Sequence, residues 1–206
     1  ISRIGRYDVL FVIIGHRGLS PDNKHIDYLF DLVNNGIVKA ELFNRFFTSL
    51  PLNNIEESVL INIFEKVLKL KEGIQAIFQI GSSYIWYSSG YSEVIKKFFE
   101  DLIIDNVEDA ELFNFSGFYE VLDRVLRKSS NTTFIEAICH LVINYIKNYE
   151  GLYINSSQLE DIFRTLFDKY FDISWPIISK ALLSKDDHNL LFYKIKKFSI
   201  LPLKFN

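Results

Sequence analysis

The 206 residues include no methionine, one cysteine, four prolines and nine glycines. With Cys139 alone, no intrachain disulfide can form and no cysteine-based zinc site can be built within one chain, so a reducing, cytoplasmic location is expected. Little Pro or Gly and only 24 % charged residues exclude the low-complexity and disordered classes, where such residues dominate. No run of about 18 apolar residues occurs, which leaves no candidate for a membrane-spanning helix. Excess positive charge is also lacking. A net charge of −3 and a pI near 5.8 give no broad attraction to nucleic acid or anionic lipid, and neither partner is expected. A chain that starts at Ile1 and has no Met reads as a fragment of a longer chain or a processed product.

What is abundant is apolar and aromatic surface, 49 % and 16 % of residues, enough for one large domain spanning 1–206. From about Asn23 onward the chain repeats a polar cap, a dozen residues with apolar positions three and four apart, and a polar break. After Asn54, the residues Ile55, Val59, Leu60, Ile63, Phe64, Val67 and Leu68 share one helical face. Asn131 or Thr132 caps a second stripe from Phe134 to Tyr149, and Ser157 caps a third from Leu159 to Tyr170. Similar segments run over 38–49, 74–88, 92–105, 116–128, 174–184 and 187–198. Asn35-Gly36, Pro51, Gly73 and Gly151 supply the breaks, and Pro176 is expected in a first helical turn. The prediction is all-α: about ten amphipathic helices in antiparallel pairs.

Successive pairs begin roughly 32 to 43 residues apart, within the range for helix-pair repeats. In spacing and amphipathicity the chain resembles the HEAT and armadillo repeat proteins. That resemblance implies an α-solenoid, and an irregular orthogonal bundle fits the same pattern. The stretch YDVLFVIIGHRGLSP, Tyr7 to Pro21, reads as a further helix over about Arg6–His16; a buried strand over Val9–Ile14 is the alternative. Gly15 and Gly18 without a Lys-Ser/Thr pair do not make a phosphate loop.

No catalytic or metal-ligand spacing stands out, and no cofactor is expected. His16-Arg17 reads as a basic helix end, and Asp186-Asp187-His188 as an acidic first turn. Cys139 and His140 point about 100° apart on a helix and cannot act as nucleophile and base, so Cys139 reads as a core residue. Asn131-Thr132-Thr133 and Asn155-Ser156-Ser157 match the glycosylation sequon, which matters only in a secreted chain. Glu100, Asp101, Asp105, Glu108, Asp109 and Glu111 form an acidic middle, read as solvated surface; Lys194, Lys196, Lys197 and Lys204 make the C-terminal end basic. The segment GSSYIWYSSGY carries Tyr84, Trp86, Tyr87 and Tyr91, the candidate residues for binding a partner, since such side chains offer large contact area at small entropy cost. Packing between helices is their other role. These features point to a non-enzymatic interaction scaffold whose partner is another protein or the attached domains of a parent chain. The alternative is an all-α enzyme or ligand binder with an aromatic pocket between helices, lined by Gly81–Tyr91 and His140.

Overall fold

The computed structural model describes residues 22–39, 55–87, 92–148 and 156–183. Among them are eight α-helices, one short 3₁₀ helix and no strand, so the fold is all-α. The helices are α1 (Asn23–Asn34), α2 (Glu57–Val67), α3 (Gly73–Tyr87), α4 (Glu93–Asp105), α5 (Phe118–Lys128), α6 (Thr132–Asn148), α7 (Ser156–Lys169) and α8 (Phe171–Leu183); the 3₁₀ helix is Ala110–Asn114. The chain divides into two compact units, one within residues 1–95 and 115–121, the other within 96–114 and 122–206. The segments 6–16 and 187–198, most of 38–49, and Gly151 lie outside the described residues.

In the first unit, Asp22 caps α1 by accepting the His25 N–H at 2.9 Å. Ile26, Leu29 and Phe30, at helical spacing, form the buried face. Gly36, at φ 67°, takes the left-handed turn expected of Asn35-Gly36. Helix α1 packs on α2, whose buried Val59, Leu60, Ile63, Phe64 and Val67 are the stripe read from the sequence. Polar groups edge this contact. Asn62 donates to Asn23 at 2.9 Å, and Lys66 lies 3.0 Å from Asp27 and 5.0 Å from the Phe30 ring centroid. The Lys66 and Asn62 donors hold the Asp27 carboxyl below its ordinary pKa. The turn from α2 to α3 puts Glu72, not a glycine, at positive φ (59°). Gly73 opens α3 because a Cβ there would lie 2.2 Å from the Val67 carbonyl oxygen.

In the second unit, α6 is buried around most of its circumference, including Cys139, and forms the centre on which the 3₁₀ helix and α8 pack. Phe113 meets Tyr145 with ring centroids 4.4 Å apart. Helix α8 also packs on α7, from which a single residue, Tyr170, separates it. The Tyr170 carbonyl accepts the Ile173 and Ser174 N–H groups at 3.1 and 2.9 Å and the Ser174 hydroxyl at 2.8 Å. That carbonyl starts α8 at Phe171, three residues before the expected 174, so Pro176 stands inside the helix rather than in its first turn.

Candidate functional site

The joint between α7 and α8 gathers rings because the chain turns sharply at Tyr170, bringing the Ser174 hydroxyl within 2.9 Å of the Leu166 carbonyl eight residues back. Phe163 and Phe167 on α7 stack at 5.9 Å, and Phe171 and Trp175 on α8 lie parallel within 6° at 5.9 Å. Phe167 bridges the pairs, 6.4 Å from Phe171 and 6.1 Å from Trp175. These separations suit offset and edge contacts and leave no cage between the rings. Phe163 is fully buried, Phe167 and Trp175 are half-buried, and Phe171 is 41 % exposed. The cluster thus runs from core to solvent, the gradient of an anchor residue at a recognition surface. Asp168 and Asp172 are exposed beside it.

The same joint is held from beneath by a buried polar network. The Tyr170 hydroxyl lies 2.6 Å from the Leu126 carbonyl oxygen and 2.7 Å from that of Ser129. The Ser129 hydroxyl donates to Glu100 Oε1 at 2.7 Å, and Asn131 Nδ2 donates to Glu100 Oε2 at 3.3 Å. Glu100 is only 4 % exposed, so this member of the acidic middle belongs to the interior and not to the solvated surface. Its carboxylate is tolerated there because both oxygens accept hydrogen bonds. Asn131 Oδ1 also caps α6 by accepting the Phe134 N–H at 3.3 Å. With both ends of its amide engaged, a glycan on Asn131 would have to displace structure beside Glu100.

Tyr84, Trp86 and Tyr87 fall within α3, and Tyr91 lies outside the described residues. The Tyr84 side chain is half-buried, and Ser83 spends its hydroxyl on the Gln79 carbonyl at 3.0 Å. His140 is exposed on α6. Asn155, His16-Arg17, Asp186-Asp187-His188 and the C-terminal lysines lie outside the described residues. An open groove of about 370 Å³ is lined by Arg127, Asp161, Arg164, Thr165, Asp168 and Lys169. Its cations are engaged: Arg127 with Asp123 at 2.7 Å, Arg164 with Asp161 at 3.4 Å, and Lys169 donating to the Arg127 carbonyl at 2.6 Å. Among the described residues no group of three His, Cys, Asp or Glu side chains is placed to hold a metal, and no helix is long and apolar enough to cross a membrane.

No family of known proteins matches the chain, and neither a curated protein nor a solved structure matches it. The joint of α7 and α8 is therefore read on its own geometry. Sequence periodicity missed it, although one signal was present: Phe163, Phe167, Phe171 and Trp175 recur every four residues straight through the expected break near Tyr170.

Proposed function

We propose that this chain is a non-enzymatic interaction module, built of stacked helix pairs in the manner of the HEAT and armadillo proteins, that presents the α7–α8 joint to a protein partner. The observation that carries this reading is the exposed Phe171 stacked on Trp175 above a rigidly bonded joint. A protruding ring whose neighbours and backbone are already fixed loses little freedom when a partner covers it, so more of its burial appears as affinity. Stacked pairs are supported by α8, which packs on its neighbour α7 and also on α6, the next helix but one. In this reading the parent chain or a reducing, cytoplasmic complex supplies the partner, and Cys139 remains a buried thiol.

The test is site-specific photocrosslinking in the source cells, with a photoreactive residue replacing Phe171 and, as control, His140 on the exposed face of α6. A discrete protein adduct at position 171 and none at 140 is expected. An absence of protein adducts at 171 would remove the basis for the module.

A further inference from the structure

We infer that Ser130, in the loop joining α5 to α6, is a phosphorylation site for an arginine-directed serine kinase, which reads Arg127 and Lys128 as the last turn of α5 opens. The inference is independent of what the α7–α8 ring patch binds. In the step itself the γ-phosphoryl group of ATP passes to Ser130 Oγ: the bond from phosphorus to the β–γ bridging oxygen breaks, the Oγ–P bond forms, the hydroxyl proton goes to the kinase's base, and ADP leaves.

Sequence provides the first reason. In RVLRKSSNTTFI, residues 124–135, cations stand three and two residues before Ser130, with Arg124 three further back, and the stretch has no acid. Ser130 is alone among the described serines and threonines in having a cation three residues ahead of it. Kinases that discriminate substrates by charge read such a cation with carboxylates of their own and repel acidic sequences. The fold provides the second, because it chooses between two adjacent serines. Ser129 is 3 % exposed, its hydroxyl donating to Glu100 and accepting the Asn131 N–H at 3.1 Å, so it is closed to a kinase. Ser130 is exposed and lies outside any helix, and Arg124, Arg127 and Lys128 are exposed as well. Arg127 and Lys128 end α5, and a kinase cleft takes its substrate extended, so that turn has to unwind. Its closing bond, from the Ser129 N–H to the Leu126 carbonyl, is long at 3.4 Å, and the Arg127 pair with Asp123 is exposed and of small worth. What holds the turn shut is the joint: Tyr170 reaches the Leu126 and Ser129 carbonyls, and Lys169 the Arg127 carbonyl. The product dianion then stands just ahead of the cap residue Asn131, at the positive end of α6 and two residues after Lys128, where its charge is favoured.

The test incubates the folded full chain with ATP and the catalytic subunit of cyclic-AMP-dependent protein kinase as an arginine-directed probe, and maps phosphopeptides by mass spectrometry. Phosphate on Ser130 and none on Ser129 is expected. R127A/K128A, two changes at exposed positions, should leave the circular dichroism unchanged and lower the kcat/KM of phosphorylation on the order of tenfold or more, the scale of losing close charge pairs in a binding cleft. Y170F, which unlatches the turn, should raise it severalfold. Phosphate on Ser129 or elsewhere with Ser130 unmodified, incorporation only after the chain is unfolded, or no effect of R127A/K128A overturns the site; an unchanged rate in Y170F overturns the opening step. The chain isolated from its source with phosphatase inhibitors should carry the same phosphate, and a map covering Ser130 that shows only the unmodified peptide overturns the assignment.

Discussion

Tyr170→Phe isolates the bond that fixes the candidate site. The substitution keeps the ring, which is buried with Tyr170 at 9 % exposure, and removes only the hydroxyl that reaches the Leu126 and Ser129 carbonyls at 2.6 and 2.7 Å. One hydroxyl proton serves two acceptors, so a single net hydrogen bond of about 1 kcal/mol is lost. The Leu126 carbonyl keeps a long contact, 3.4 Å, from the Ser129 N–H, whereas no other donor in the network reaches the Ser129 carbonyl. Leaving that buried acceptor without a partner adds about 1 kcal/mol. The sum, about 2 kcal/mol, should appear in urea unfolding by circular dichroism as a lower midpoint at unchanged slope, and as a fall in Tm of about 4–8 °C for a chain of this size. Native hydrogen exchange should rise at the N–H groups of Ile173 and Ser174, which bond to the Tyr170 carbonyl, while α1 and α2 keep their protection. A loss under about 0.5 kcal/mol, typical of a plain surface change, would mean that water already satisfies both carbonyls and that Tyr170 does not lock the joint.

Phe163→Ala, at the buried end of the ring cluster, should cost about 3–5 kcal/mol in the same assay, much more than Phe171→Ala at its exposed end; equal costs would mean the cluster is not graded from core to solvent. Gly117 sits at φ 84°, and an added Cβ would lie 2.5 Å from the Phe78 carbonyl oxygen, so Gly117→Ala should destabilise by about 2 kcal/mol or more; a neutral result would refute the close approach of the loop to α3. Burial, with a smaller contribution from Glu136, pushes the Cys139 thiol up to about 12 from 9.0. The native thiol is therefore neutral near pH 8 and should react with a disulfide reagent only on unfolding; prompt reaction in native buffer would contradict its burial. Because the folded value lies above the unfolded one, its contribution to stability is intact below about pH 9 and fades as pH rises towards 12, so the stability difference between the native chain and Cys139→Ala should shrink across that window.

The parts of this structure that were legible in the sequence are those governed by local periodicity. The stripe from Val59 to Val67 and the long apolar run from Phe134 to Ile146 are buried where the spacing placed them, because a helix with one apolar face has to cover that face whatever its neighbour is. The start of α8 was misplaced by three residues because Pro176 was taken as a first-turn proline. A tertiary arrangement overrode that local rule: the Tyr170 carbonyl, with Ser174 folded back upon it, starts the helix earlier, and Ser174 also reaches the Leu166 carbonyl at 2.9 Å. The candidate site was hidden for the same reason. Its rings lie on two helices whose junction had been read as an interruption, so a spacing that continued across the junction was divided between two stripes. Its polar support was not legible at all. Glu100, Ser129, Asn131 and Tyr170 are separated by up to 70 positions in the chain, and taken singly they look like ordinary surface, capping or apolar-stripe residues with nothing to join them. Only the fold makes Glu100 a buried acceptor, and a buried acceptor dictates donors in return. Ser129 and Asn131 supply them, and through the Ser129 carbonyl the same short loop receives the Tyr170 hydroxyl. A joint fixed by polar contacts from three separate segments cannot swing freely, and for that reason the ring cluster above it is a preformed surface rather than one assembled on contact.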